Sequence, residues 1–191
     1  MDKKGLLVVI SAPSGCGKDT VIDEILARDD SFCYSVSATT RGMRDGEIDG
    51  KNYFFVSKSE FEKLIEDKKI IEYTVYCENY YGTPREYVDK MVSEGKNVIL
   101  KIETEGMINV KKAYPEALTF FIAPPDMETL RMRLEKRGTE TKKSIEKRLK
   151  RAIEEMKVQP YYDYTVINYE GAASKAADEI IEIVNRVRAA G

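Results

Sequence analysis

The chain contains no histidine. That absence excludes Ser-His-Asp and Cys-His nucleophile systems and every histidine-ligated metal site. Cysteine is scarce as well. Cys16, Cys33 and Cys77 are widely spaced, odd in number and form no C-x-x-C pair. This argues against a zinc cluster or disulfide framework and points to a reducing, cytoplasmic compartment. Long apolar runs are missing: Leu6–Ile10, near the start, is five residues. A signal peptide needs more and a membrane span needs ~20, so neither secretion by that route nor a membrane site is expected. Net charge is small, −2 from 31 basic and 33 acidic residues, whereas a nucleic-acid binder carries a basic excess. No internal repeat, low-complexity tract or Pro/Gly-rich linker divides the chain. With 191 residues, 42% hydrophobic and 34% charged, it reads as one domain with a sizeable core and a solvated surface.

The rhythm is strand then helix. Gly5–Ser11 (GLLVVIS) is a continuous apolar run, as expected of a strand buried on both faces of a parallel sheet. Val21, Ile22, Ile25 and Leu26 follow at helical spacing after a glycine-rich turn. Asn97–Ile102 and Ala117–Ala123 read as further strands, each leading into a helical pattern, around Met107–Lys112 and Asp126–Lys136. Tyr164–Asn168 reads as a last strand and Ser174–Arg188 as a closing amphipathic helix. This alternation predicts an α/β fold around a parallel sheet.

Residues 35–82 break the rhythm and read as an inserted small subdomain. They hold a polar loop, strand-like Tyr53–Val56, a helix opened by a Ser57/Glu60 capping box, and strand-like Ile70–Tyr76. A second capping box, Thr83 with Glu86, and Pro84 at the first helical position predict the next helix start. The loop Arg137–Lys143 is a second insertion, between two charged helices.

Ser11-Ala-Pro-Ser-Gly-Cys-Gly-Lys-Asp-Thr20 approximates the P-loop pattern G-x-x-x-x-G-K-[ST], with a strand before it and a helix after. Backbone N–H groups from Gly15 to Thr20 can converge on phosphate at the positive end of a helix dipole. Lys18 can bridge the β- and γ-phosphates. Ala12, Pro13, Ser14, Gly15, Cys16, Gly17, Lys18, Asp19 and Thr20 are therefore the candidate ATP-binding loop. Ala12 stands where a glycine is usual, and Asp19 stands where Ser or Thr would face Mg²⁺. Asp19 either ligates the metal, directly or through water, or is a helix-start acid that favours the dipole. Thr20 can supply a hydroxyl instead. Cys16 reads as a small residue turned away from phosphate, although a helix N-terminus can lower a thiol pKa.

The stretch Ser37-Ala-Thr-Thr-Arg-Gly-Met-Arg-Asp-Gly-Glu-Ile-Asp-Gly-Lys-Asn-Tyr53 resembles the guanylate kinase signature. The resemblance continues through Ile71-Glu72-Tyr73, Asn79–Thr83, Arg133–Thr139 and Asp163–Asn168, in order and over nearly the whole chain. It implies a three-layer P-loop NTPase fold with core 1–34, 83–136 and 144–191, a GMP-binding insertion 35–82 and a lid 137–143. It also implies phosphoryl transfer from ATP to GMP with Mg²⁺, and ATP and GMP as the partners. Arg41 and Arg44 with the hydroxyls of Tyr53 and Tyr81 can clamp a phosphate dianion. The alternative for the two loop arginines is solvated surface charge, and the tyrosines taken alone would more often be half-buried packing. Glu72 can accept from guanine N1–H and N2–H₂ while Ser37 and Thr83 donate to O6, a set that leaves adenine unpaired. Gly82 and Glu103 complete the acceptor set. Arg137 and Arg148 match the family's mobile arginines, with Arg133 close by, and Asn168 matches a position near the donor adenine.

The family's Asp/Glu-x-Asp reads Lys101-Ile102-Glu103 here. Lys101 reverses one charge. It can tighten anion binding and loosen base selection, or pair with Asp19 and restore the balance. Two other readings compete. One is a ribose 1,5-bisphosphate phosphokinase, suggested by Gly-Lys-Asp-Thr. The other is a non-catalytic guanylate-kinase-like interaction module, which retention of Lys18 disfavours.

Overall fold

The structure, a computed structural model, describes residues 4–136 and 142–190. Five parallel strands form the central sheet: β1 (Leu7–Ser11), β2 (Phe32–Tyr34), β7 (Asn97–Lys101), β8 (Leu118–Ala123) and β9 (Tyr164–Ile167), in the order β2-β7-β1-β8-β9. Every residue of β1 and β8 is buried, which is why both read as unbroken apolar runs rather than alternating ones.

Alternate side chains nonetheless go to opposite layers. Val8 and Ile10 point toward α1 (Lys18–Arg28) and α7 (Ala173–Ala190), into a core with Val21, Ile25 and Ile180. Leu7 and Val9 point toward α3 (Arg85–Ser93) and α4 (Thr104–Ala113), with Val88, Met107 and Val110. The result is the three-layer α/β arrangement that the sequence predicts. A further apolar cluster joins α5 (Met127–Lys136) to α6 (Lys142–Met156) through Leu130, Leu134, Ile145 and Leu149, with Cys16 among them.

A second sheet lies within 38–84. It consists of β3 (Ala38–Thr39), β4 (Phe54–Phe55), β5 (Ile70–Tyr76) and β6 (Asn79–Pro84), in the order β4-β3-β6-β5. It packs on α2 (Lys58–Glu66) through Phe61, which is fully buried with Ala38 and Ile70. The Ser57/Glu60 capping box forms as expected. Gly82 is required by close approach: a Cβ there would lie 2.8 Å from the Glu72 carbonyl oxygen and 2.9 Å from Phe61.

The structure corrects one local reading. No Thr83/Glu86 box forms, because Pro84 caps α3 without a side-chain hydrogen bond and Thr83 belongs to β6. Its hydroxyl donates instead to Glu72 Oε1 at 2.6 Å. β2, β3 and β6 are strands that the periodicity does not predict. Of the 137–143 lid, residues 137–141 lie outside the described residues, and Arg137 with them. No helix among the described residues is long and apolar enough to cross a membrane.

Candidate active site

The loop from Ala12 to Gly17 leaves the carboxyl end of β1 and turns into α1, which begins at Lys18. Gly17 caps the helix with φ 80°, a left-handed conformation that L side chains rarely adopt. A Cβ there would also meet Asn168 Nδ2 at 2.7 Å. The Asn168 amide donates to the Cys16 carbonyl at 2.8 Å and so pins the loop to the end of β9. Ser11 Oγ donates to the Ile102 carbonyl at 2.7 Å, which ties the loop's entry to the strand beside it.

Two cavities flank this loop and share Gly15, Gly17 and Thr20. The smaller, about 320 Å³, is also lined by Arg133, Asn168 and Gly171. Arg133 is fixed there by Nε donating to Glu170 Oε2 at 3.0 Å and Nη2 donating to the Asn168 carbonyl at 2.8 Å. Asn168 Oδ1 and Arg133 Nη1 are buried and, among the described residues, meet no hydrogen-bond partner. An acceptor and a donor thus line the same recess. The larger cavity, about 660 Å³, contains Lys18, Asp19, Glu103, Thr104, Arg151 and Glu155.

Burial, and then the neighbouring Lys101 ammonium, hold the Lys18 pKa down. Cys16 is fully buried, and burial pushes its thiol up to about 12, so the packing role holds and a reactive thiolate is not supported. Lys101 Nζ lies 3.0 Å from Asp19 Oδ1, the pairing that charge balance suggests. Burial opposes the Lys101 charge, but Tyr34 and Asp19 outweigh it and its pKa rises.

The predicted acceptor residues divide into groups. Arg41 lies over the Tyr53 ring at 5.4 Å, and the Tyr53 and Tyr81 rings are 6.0 Å apart, so these three form one cluster. Glu72 and Thr83 form a buried pair on the adjoining strands, with Gly82 between Tyr81 and Thr83. Burial raises the Glu72 carboxyl pKa against the lowering effect of the Thr83 hydrogen bond. Thr83 therefore orients this carboxylate, and its proton is already engaged there rather than free to donate to a base. Ser37 is half-buried on the approach to β3, where its carbonyl accepts from Phe54.

Arg44 stays exposed in its loop. Glu103 ion-pairs with Arg151 of α6 at 3.3 Å, on the wall of the larger cavity. Arg148 is half-buried on α6. Tyr34 links the two regions: burial raises its pKa, and Lys101, Tyr53, Asp19 and Glu72 all act on its hydroxyl.

Three participants escape the sequence reading. Glu47 takes the Arg41 guanidinium in a fork, at 2.7 and 3.0 Å, and accepts from the Arg44 backbone N–H at 2.7 Å. These hydrogen bonds, Arg41's first, hold its carboxyl down to about 2. The spacing Arg41, Arg44, Glu47 around the turn at Gly46 is the available local signal. Glu155 accepts from the Ser14 N–H at 3.4 Å, a contact across 141 residues with no local signal. Tyr34 enters only because β2 pairs with β7.

Comparison with known proteins agrees with this geometry. A family model described as guanylate kinase matches residues 4–186. The chain is 48% identical over 183 residues to a guanylate kinase of Bacillus cereus, spanning 95% of this chain and 88% of that protein. It is 45% identical over 185 residues to one of Bacillus subtilis, spanning 96% and 90%. A crystal structure of guanylate kinase from Anaplasma phagocytophilum superimposes with a TM-score of 0.71 at 32% identity, covering 98% of this chain and 88% of that one.

Proposed function

The chain belongs to the guanylate kinase family, and from that premise we propose how its own residues carry out ATP-dependent phosphorylation of GMP to GDP. The donor binds along the loop, with the triphosphate on the N–H groups from Gly15 to Thr20 and Lys18 at the β- and γ-phosphates. Adenine enters the smaller cavity, where Asn168 Oδ1 can accept from an exocyclic amine and Arg133 lines the wall. GMP, or dGMP, binds at the second sheet. Its phosphate meets Arg41, Arg44 and the hydroxyls of Tyr53 and Tyr81. Glu72, oriented by Thr83, accepts from guanine N1–H and N2–H₂, and the Ser37 hydroxyl is left for O6.

A GMP phosphate oxygen then attacks the γ-phosphorus in line, and the bond to the β–γ bridging oxygen breaks, giving GDP and ADP. The attacking phosphate is already deprotonated near pH 7, so no general base is needed. This agrees with a chain that lacks histidine. Lys18 neutralises charge on the β- and γ-phosphates as the bond breaks, and closure brings Arg137 and Arg148 over the equatorial oxygens. The same closure, of the 137–143 lid and the 35–82 insertion, keeps water from the γ-phosphate.

The first turn of α1 fits a Mg²⁺ held mainly by substrate phosphates. Asp19 is 73% exposed with Lys101 on one oxygen, and Thr20 is exposed beside it. Among the described residues no group of three or more His, Cys, Asp or Glu side chains could cage a metal, which suits an ion that takes one carboxylate and leaves the rest to phosphate and water. Asp19 and Thr20 would hold it, and it would neutralise charge between the β- and γ-phosphates. The described cysteines are free thiols, which suits the cytoplasm.

The observation that best supports a guanine acceptor is the Glu72 carboxylate, 9% exposed and held by Thr83. A buried acid is costly unless it meets donors; guanine offers the N1–H and N2–H₂ pair on one uncharged edge, whereas the hydroxyls of a sugar bisphosphate come with two phosphate groups and their negative charge. ADP release, measured with GMP, dGMP, AMP, UMP and ribose 1,5-bisphosphate in turn, tests the reading. GMP and dGMP should turn over and AMP should not; turnover of the sugar without GMP would overturn it.

A further inference from the structure

Lys101 ends β7, and Lys18 opens α1 after the loop that leaves the adjacent parallel strand β1. In the pairing of β1 with β7, Lys101 is opposite Ile10, one residue before the loop's entry at Ser11. The Lys101 ammonium rests on Asp19, the residue after Lys18. Its field reaches Lys18 on one side and Tyr34 and Tyr53 on the other. Lys101 therefore lies against the residue that follows Lys18, and its charge acts both on Lys18 and on Tyr53 of the acceptor cluster.

The pair is also loosely held. Lys101 is 38% exposed and Asp19 73% exposed. Exposed ion pairs of this kind are weak and exchangeable. A phosphate chain arriving at the loop brings several negative charges against the single charge of Asp19, so the ammonium has a stronger partner to move to. Arg41 offers no comparable freedom, because its fork is filled by Glu47 and both side chains are largely covered, at 14% and 18% exposed.

Resting on the kinase reading above, we propose that Lys101 is a second phosphate-binding cation of the transfer site, parked on Asp19 when nucleotide is absent and moved onto the transferring phosphoryl group when both substrates are bound. The competing account is that Lys101 only neutralises Asp19. The two accounts differ in what the double variant does.

The test compares Lys101→Gln, Asp19→Asn and the double variant in steady-state ADP release with ATP and GMP. Lys101→Gln should lower kcat by roughly 30-fold, as expected for loss of one charged donor to developing phosphoryl charge. The KM for GMP should move less than about threefold, because ground-state contacts of the base and acceptor phosphate remain. The double variant should stay as slow as Lys101→Gln, and Lys101→Arg should recover part of the rate. Measured without Mg²⁺, where loss of Asp19 as a metal ligand plays no part, affinity for adenosine and guanosine joined through five phosphates should fall at least tenfold in Lys101→Gln and in the double variant alike, and wild-type affinity in the double variant would overturn the proposal. Recovery of wild-type kcat in the double variant would show that Lys101 only balances Asp19, and would overturn the proposal. A Lys101→Gln enzyme indistinguishable from wild type would overturn it as well. A wild-type chain that released no ADP with GMP would instead remove the kinase reading itself.

Discussion

At the loop between β1 and α1, the groups aimed at phosphate belong to the backbone, whereas in the second sheet they are side chains. The loop is held by Gly17 in a left-handed conformation, by Asn168 on the Cys16 carbonyl and by Ser11 on the Ile102 carbonyl. It is ready without a ligand. In the second sheet the Arg41 fork lies on Glu47, and the Thr83 hydroxyl is on Glu72. These groups are satisfied by one another, so a ligand there exchanges contacts with them rather than filling a preformed mould. A site made of backbone tolerates changes at most side chains except the one that carries charge. A site made of side chains is sensitive at each of them.

The largest effect should come from Lys18→Ala. Turnover should fall about 10³-fold in coupled ADP release, the order seen when a preorganised charge at a transition state is lost. Next is Arg41→Ala, expected to lower kcat/KM for GMP about 100-fold, with ATP affinity unchanged by calorimetry. Glu72→Gln should weaken GMP by about 1–3 kcal/mol, roughly 5- to 150-fold, without affecting ATP.

Glu72→Gln also carries a pH signature. Burial raises the folded Glu72 pKa, so the folded chain holds this proton more tightly than the unfolded chain does. Its ionised form therefore costs stability above the raised value. GMP binding, which needs the carboxylate, should be lost as pH falls through that value, above the ordinary carboxylate range, and the Gln variant should lack this limb. Glu47 has the opposite sign. Its contribution is full above the ordinary value near 4.5 and is lost as pH falls toward about 2. Glu47→Gln should flatten that part of the acid-unfolding profile. The smallest effect is expected at Cys16: iodoacetamide at pH 8 should alkylate exposed Cys77, leave buried Cys16 unmodified by mass spectrometry, and leave ADP release intact.

The same contrast explains what was legible in the sequence. The donor loop is contiguous, so strand, glycines, lysine and helix could be read in order from Gly5 to Leu26. The apolar runs of β1, β7 and β8 predicted the parallel sheet because strands covered on both faces carry no polar alternation to obscure them. The second sheet was harder. Its β5–β6 hairpin turns at Cys77 and Glu78, with φ of 47° and 63°, both left-handed. A two-residue turn of that kind is usually signalled by Asn-Gly or Asp-Gly, and Cys-Glu gives no such signal. β2 and β3 are three and two residues long, too short for a period to register. The acceptor residues were found through the family resemblance and not through local pattern. Thr83 misled, since Thr-Pro-Arg-Glu has the form of a capping box while the hydroxyl is drawn to a buried carboxylate. Contacts such as Glu155 on Ser14 and Lys101 on Asp19 join distant segments; charge alone suggested the second and nothing suggested the first.

The most direct test of two separately built nucleotide sites, one on the loop and one in the second sheet, is calorimetric titration of ATP and of GMP, each alone, into wild type, Lys18→Ala and Arg41→Ala. Wild type should bind both nucleotides. Lys18→Ala should lose at least tenfold in ATP affinity and keep GMP, while Arg41→Ala should lose GMP and keep ATP. No heat with ATP in wild type, or a loss of both nucleotides in either variant, would contradict the account.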